Sequence, residues 1–209
     1  MSNSSNTRLK PRTEPRQDRS IKRAKEIMEV TAKLLDRVGF DDLTTILITK
    51  EMGISVGSLY HYFPSKHAIL RSIAENWLSE WDEVLSQISD IDVESMTLEK
   101  ICETLTQMLL GVYQQQRGVL PLVQAMYAVP ELRDLDAQHD VIVVKCMSAL
   151  FLRMGIKQSK SELARISSIF LEVSHTMLVM VLSQNGAKAK RTLNDLNKFI
   201  FVLLNDNQA

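Results

Sequence analysis

With 209 residues, 45% of them hydrophobic and 24% charged, the chain can bury a substantial core as one large domain or two unequal ones, and its composition excludes intrinsic disorder. Its two cysteines, Cys102 and Cys146, lie far apart with no Cys or His at metal-ligand spacing beside them. This excludes a disulfide framework and fits a reducing cytoplasm. The formal net charge is zero, yet the first 25 residues carry eight Lys or Arg against Glu14 and Asp18, a local charge of +6 that leaves −6 on the remainder. Such a split points to an anionic partner at one end, nucleic acid being the commonest, although a solubilising tail gives the same signal.

Residues 1–18 are polar, Pro-containing and aperiodic, a flexible basic arm. From Ser20 onward Ile21, Ala24, Ile27, Met28, Thr31, Leu34 and Leu35 recur at three- and four-residue intervals, which predicts an amphipathic helix ending near Val38, with Gly39 as its stop. Thr44 caps a short second helix to about Met52, and Gly53 supplies the tight turn. Ser55 then caps a third helix, Val56 to Tyr62, which Pro64 stops. Ser65 caps a longer fourth helix, 65–88, with Ala68, Ile69, Ile73, Trp77 and Trp81 on one side.

After Ser89 the chain turns acidic and polar and reads as a hinge between domains. Further helices are expected over 97–116, 119–128, 130–154, 161–184 and 188–204, the breaks marked by Gly118 with Pro121, Pro130, Gly155 and Asn185-Gly186. No strand is needed, so the fold class is all-α: an N-terminal three-helix helix-turn-helix domain plus a C-terminal helical bundle. The N-terminus lacks a secretory apolar core, and the longest apolar stretch, 141–152, is broken by Lys145 and Ser148 and is too short to span a bilayer. A soluble, cytoplasmic protein without a membrane partner is expected.

The informative segment is 39–70, GFDDLTTILITKEMGISVGSLYHYFPSKHAIL. A helix, a Gly-containing turn and a second helix form the geometry that presents one helix to the major groove. Gly57, in the first turn of the third helix, costs roughly 1 kcal/mol against Ala, but it leaves room for a phosphate to approach the backbone N–H groups. Tyr60, His61 and Tyr62 point in different directions around a helix, so one or two of these rings must face solvent or a partner.

Over Ser20 to about Ile73 the chain resembles the DNA-binding region of the tetracycline-repressor (TetR) family of bacterial transcription regulators. The resemblance rests on Gly39-Phe40, Thr44, Ile48, Gly53-Ile54-Ser55, Gly57, Leu59-Tyr60, Phe63, Lys66 and Leu70. It implies phosphate contacts from Thr44, Ser55, Tyr60, Tyr62 and Lys66, close approach at Gly57, base-edge or groove-wall contacts from Val56, Ser58 and His61, and core pins at Leu59 and Phe63. Leu43 departs from the pattern where a threonine is common, and Thr49 and Met52 stand where small alanines are usual. The third helix holds no Arg, Lys, Asn or Gln, the side chains that read G and A with paired hydrogen bonds. Base readout is therefore expected to be sparse, with affinity leaning on phosphates, on DNA shape and on the basic arm in the minor groove.

The resemblance further implies a homodimer on a palindromic double-stranded DNA operator, with domains at 19–66 (DNA-binding) and 67–209 (helical ligand-binding and dimerisation), joined by helix 65–88. Leu163, Ile166, Ile169, Phe170, Val173, Met177 and Val181, with Leu193, Leu196, Phe199, Ile200, Leu203 and Leu204, make the last two helices the expected dimer interface. Polar or soft groups on apolar faces nominate a pocket for a small apolar or amphipathic effector: Met108, Tyr113, Gln124, Met147 and His175. Glu172-x-x-His175 and Asp136-x-x-His139 have the i, i+3 spacing of di-metal helical bundles, but the second lies in ELRDLDAQHD, which reads as a solvated turn of helix. The expected function is a ligand-responsive repressor without enzymatic activity, cofactor or metal. The alternatives are an effector-independent architectural DNA-binding protein and, more remotely, a helical-bundle di-metal enzyme.

Overall fold

The computed structural model describes residues 14–115 and 118–208. Among these residues the chain forms helices and no strand: α1 (Glu14–Asp42), α2 (Thr45–Met52), α3 (Val56–Tyr62), α4 (Lys66–Ser89), α5 (Leu98–Gln115), α6 (Val119–Ala128), α7 (Pro130–Arg153), α8 (Lys160–Leu182) and α9 (Gly186–Asn205). The all-α expectation holds. The first helix begins at Glu14 rather than Ser20, so the last residues assigned to the arm are helical; residues 1–13 lie outside the described residues. Regular geometry in α1 breaks at Gly39 (φ 78°, ψ 179°), the expected stop.

Local signals set the small domain. The Thr44 hydroxyl accepts from Leu47 N at 3.1 Å and the Ser55 hydroxyl from Ser58 N at 3.1 Å, each satisfying an orphan donor of a helix start. Between them Gly53 adopts φ 63°, ψ 33°, the left-handed conformation that lets α2 stop and α3 leave at an angle. Ile48 on α2 and Leu59 on α3 are fully buried with Ile27, Leu35 and Leu43. Burial of each such side chain contributes roughly 1.5–3 kcal/mol and fixes the angle of α3.

Residues 90–97 are held rather than hinged. The Arg153 guanidinium donates to the carbonyls of Ser89 and Ile91, and Ile91 itself is buried. The acidic side chains gave the look of a linker, whereas the backbone carbonyls do the anchoring. The two parts of the molecule meet elsewhere. Helix α4 continues from α3 and packs on α1, α5, α6 and α7, while α6 packs directly on α1. At that junction Gly118 (φ 68°) lies so close to α1 that a Cβ would come within 2.8 Å of Ala32 O and 3.3 Å of Asp36 N.

Helix α8 is long and apolar enough to cross a membrane by length and composition, with mean hydropathy 1.4 over its most apolar window, although sequence reading gave 141–152 as the longest apolar stretch. In the fold α8 packs between α7 and α9 and buries Leu163, Ile166, Phe170 and Leu178. The apolar side chains left outward on α8 and α9 are Met180 (45% exposed), Phe199 (37%) and Val202 (54%).

Gly118→Ala should destabilise the chain by about 1–3 kcal/mol from backbone conformation alone, with a further cost from the clash against α1. A thermal melt is expected to show Tm lowered by several degrees; an unchanged Tm would mean α6 does not approach α1 this closely.

Candidate DNA interface and effector cavity

Helix α3 carries the proposed reader. Leu59 (fully buried) and Phe63 (8% exposed) pin it to the core, while Val56 and Tyr60 are 41% and 49% exposed and Gly57 and His61 also face outward. Tyr62 is half-buried and meets the His61 ring edge-on at 5.1 Å, so two of the three consecutive rings point away from the core. The Thr44 and Ser55 oxygens are engaged as caps, but each hydroxyl proton stays free to donate to an anion. A Cβ on Gly57 would meet only Ser55 Oγ, at 3.9 Å. The fold therefore does not demand glycine there, and the space matters to whatever approaches from outside.

Lys66 also has a role within the fold. Its ammonium donates to Leu43 O at 2.9 Å and Phe40 O at 3.2 Å and sits 4.5 Å from the centroid of the Phe40 ring. It thereby ties the start of α4 to the end of α1, with one of its three donors left for a phosphate. Sequence reading missed Ile46 on α2, an isoleucine 70% exposed beside the cap residue Thr44. The signal was present: an apolar residue in a short helix whose buried positions are Ile48 and Thr49.

Of the five nominated pocket residues, the fold brings two together. The Tyr113 hydroxyl and His175 Nδ1 share a hydrogen bond of 2.5 Å. Burial raises the Tyr113 pKa, with nearby acidic groups adding to the effect, so the phenol keeps its proton, and burial lowers that of His175 against the opposing pull of Glu172. The other three lie apart. Gln124 is exposed, Met147 is sealed in the core, and Met108 lines a separate surface depression with Lys100 and Asn197. Their helical spacing gave the right face only where the neighbouring helix turned out to be the right one.

Tyr113 and His175 close one side of a cavity of about 30 Å³ whose other walls include Trp77, Trp81, Met126 and Tyr127. Trp77 and Trp81 stand edge-to-face to the Tyr113 ring at 5.5 and 5.9 Å, and Tyr127 to His175 at 6.2 Å. The cavity also takes Asp136, His139 and Asp140 from α7. This overturns the reading of that segment as a solvated turn, because His139 is only 9% exposed and its ring packs on Trp81 at 5.4 Å. Burial lowers the His139 pKa to about 4 despite Asp82 nearby. Burial, and then repulsion from Asp136 and Glu172, raises the Asp140 pKa to about 6. Asp136 is raised by burial and by Glu172. Trp77-x-x-x-Trp81 and Asp136-x-x-His139-Asp140 each have one-face helical spacing, the signal that was available in the sequence.

Residues 27–73 match the family model of bacterial regulatory proteins of the tetR family. The nucleoid occlusion factor SlmA of Vibrio cholerae is 30% identical over 149 residues, spanning 69% of this chain and 74% of that protein. The chain belongs to the tetR family. As a tetR-family member it is a DNA-binding transcription regulator of helix-turn-helix type. The SlmA of Mannheimia succiniciproducens is 35% identical over 104 residues, but that match spans only 46% of the relative's length. Among solved structures, a transcriptional regulator from Saccharomonospora viridis in complex with choline shares the fold with TM-score 0.67 at 19% identity, covering 86% of this chain and 96% of that one.

Gly57→Ala should leave stability unchanged or raise it by up to about 1 kcal/mol of helix propensity while weakening DNA binding several-fold, as read by fluorescence anisotropy. Equal DNA affinity would refute close approach at this position. For Asp140→Asn the sign follows from a folded-state pKa raised from 3.8 to about 6. The charged form burdens the fold above that range, and the burden is absent below the unfolded value. The variant should melt higher than the parent at pH 8, with the difference closing as pH falls toward 4.

Proposed function

We propose that the chain is a homodimeric repressor that leaves a palindromic operator when a small molecule fills the cavity between α4, α5, α6, α7 and α8. The observation that carries the reading is the shared use of two helices. Helix α4 supplies Trp77 and Trp81 to the cavity and follows directly from α3, and α6 supplies Met126 and Tyr127 while abutting α1 at Gly118. A molecule larger than the present space must displace a wall. Either wall is also a support of the DNA-reading helices, so occupancy favours a different spacing of the two recognition helices than the about 34–36 Å between successive major grooves. Linkage then lowers DNA affinity.

In this reading residues 19–66 form the DNA-binding part and 67–209 the ligand-binding and dimerisation part. The outward Met180, Phe199 and Val202 of α8 and α9 meet their copies in the partner. Thr44, Ser55, Tyr60, Tyr62 and Lys66 hold phosphates, while Val56, Ser58 and His61 face the groove beside Gly57. The choline held by the Saccharomonospora protein supports a small-molecule site in this fold.

A second reading is favoured by the relatives named nucleoid occlusion factor and by the small size of the cavity, far below the roughly 300–1,000 Å³ of ordinary ligand pockets. It is a DNA-binding protein that works on the nucleoid without an effector. The test is operator binding of the purified full chain, using its own upstream DNA, with and without compounds that raise its Tm. Release of DNA by such a compound supports the ligand-responsive repressor; DNA affinity unmoved by any stabilising compound supports the second reading. Deleting residues 2–13 removes Arg8, Lys10 and Arg12. Binding should weaken, and the log–log salt dependence should flatten by about 1 for each phosphate that the arm neutralises. An unchanged slope would remove the arm from the interface.

A further inference from the structure

The cavity has the chemistry of a cation site. Its walls are aromatic: Trp77 and Trp81, four residues apart on one face of α4, meet Tyr113 with interplanar angles of 78° and 86°, and Tyr127 stands at the rim, 56% exposed. Rings set nearly perpendicular to one another present the negative face of one or another of them to a group between them, and it is the face that attracts an ammonium. The charge lining the cavity has one sign. Asp136 and Asp140 come from the same face of α7, and Glu172 of α8 is near enough to raise the pKa of both. The two histidines are neutral near pH 7, His139 because burial lowers its pKa to about 4 and His175 because burial lowers it too. Among the described residues, neither Asp136 nor Asp140 belongs to an ion pair.

The second observation is independent of charge. Trp77, Trp81 and His139 are 3%, 4% and 9% exposed, and among the described residues Trp77 Nε1, Trp81 Nε1 and His139 Nε2 have no hydrogen-bond partner. Buried polar groups are satisfied in the great majority of cases. Three such groups on side chains lining one cavity therefore mark a place where a partner atom belongs. The two indole N–H groups are donors only and call for an acceptor oxygen.

We infer that the effector is an organic cation, an ammonium or quaternary ammonium group carrying a hydroxyl or carbonyl oxygen, held between the rings of Trp77, Trp81, Tyr113 and Tyr127 and the carboxylates of Asp136 and Asp140. This inference rests on the ligand-responsive reading for the consequence of binding, but the binding itself is read separately. A cation between these carboxylates relieves the repulsion that adds to burial in raising the pKa of both. It enters by swinging Tyr127 and α6 outward, the movement that loads the α6–α1 junction. The class is narrower than the small apolar or amphipathic effector expected from the sequence, because neither Met108 nor Met147 lines the cavity and its charged lining is acidic.

The experiment is isothermal titration of the full-length protein with choline, with benzyltrimethylammonium, with 3,3-dimethylbutan-1-ol, which is the neutral isostere of choline, and with 3,3-dimethylbutanoate. The expected result is that one or both cations bind and the neutral and anionic compounds do not. In Asp140→Asn the cation affinity is expected to fall about tenfold, while the variant's higher Tm at pH 8 shows that it is folded. Cation affinity should also fall between pH 7.5 and 5.5. Asp140, whose pKa burial raises to about 6, takes up its proton over this range; burial raises Asp136 too, and any charging of His139 or His175 acts in the same direction. Equal binding of the neutral isostere, binding unaffected by Asp140→Asn, or no binding of either cation would overturn the inference. A neutral compound that binds and releases DNA would overturn the cation class while leaving the ligand-responsive reading intact. A cation that binds as expected but leaves DNA affinity unmoved would do the reverse.

Discussion

The approach of α6 to α1 at Gly118 is closer than any side chain allows, with Ala32 O where a Cβ would need to be. The rest of the molecule is organised by that approach. It joins the N-terminal helices to the body through backbone packing, which has no rotamers to absorb a displacement. With α4 running out of α3, the small domain is held at two points rather than suspended from a linker. In the proposed reading, a wall movement on the cavity side is passed on as a change of angle on the DNA side.

The energetics of the two sides are matched to that arrangement. Helices α2 and α3 are set by a few fully buried aliphatic side chains and by two hydroxyl caps, with α2 packed on both α1 and α3. The cavity side is the opposite kind of environment. It has aromatic walls, with indole N–H groups that have no partner among the described residues and carboxylates raised above their ordinary range, and these last two cost stability. A ligand that satisfies them gains binding energy from groups already in place, and coupling of only about 1–3 kcal/mol between sites changes DNA affinity 5–150-fold. In the proposed reading, unsatisfied polarity in the cavity and a rigid joint at α6 together make the switch.

Lys66 shows how one residue type serves both structure and site. Pinned over Phe40 and onto two carbonyls at the end of α1, it joins α4 to α1 from below as Gly118 joins α6 to α1 from the side. Its phosphate role in the proposed reading uses only what that duty leaves over. The exposed Ile46 extends the outward surface of α2 beyond the residues whose chemistry advertised them.

What the sequence determined was local. The caps at Thr44, Ser55 and Ser65, the left-handed turn at Gly53 and the three- and four-residue spacing of apolar side chains gave the helices, and α3 to the residue. The spaced set from Gly39 to Leu70 gave the family, because those positions answer to one short-range packing problem. Only the tertiary structure decided which faces meet. Tyr113 and His175 were named from spacing and come together, but Gln124 and Met147 share that spacing and face solvent and core. Asp136, His139 and Asp140 read as a wet turn until α4 brought Trp81 against them. The acidic stretch after Ser89 read as a hinge until Arg153 reached its carbonyls from 62 to 64 residues away. Helical periodicity fixes the direction of a side chain around its own axis and carries no information about which helix lies opposite. A site built from five helices is therefore legible only once the chain has packed.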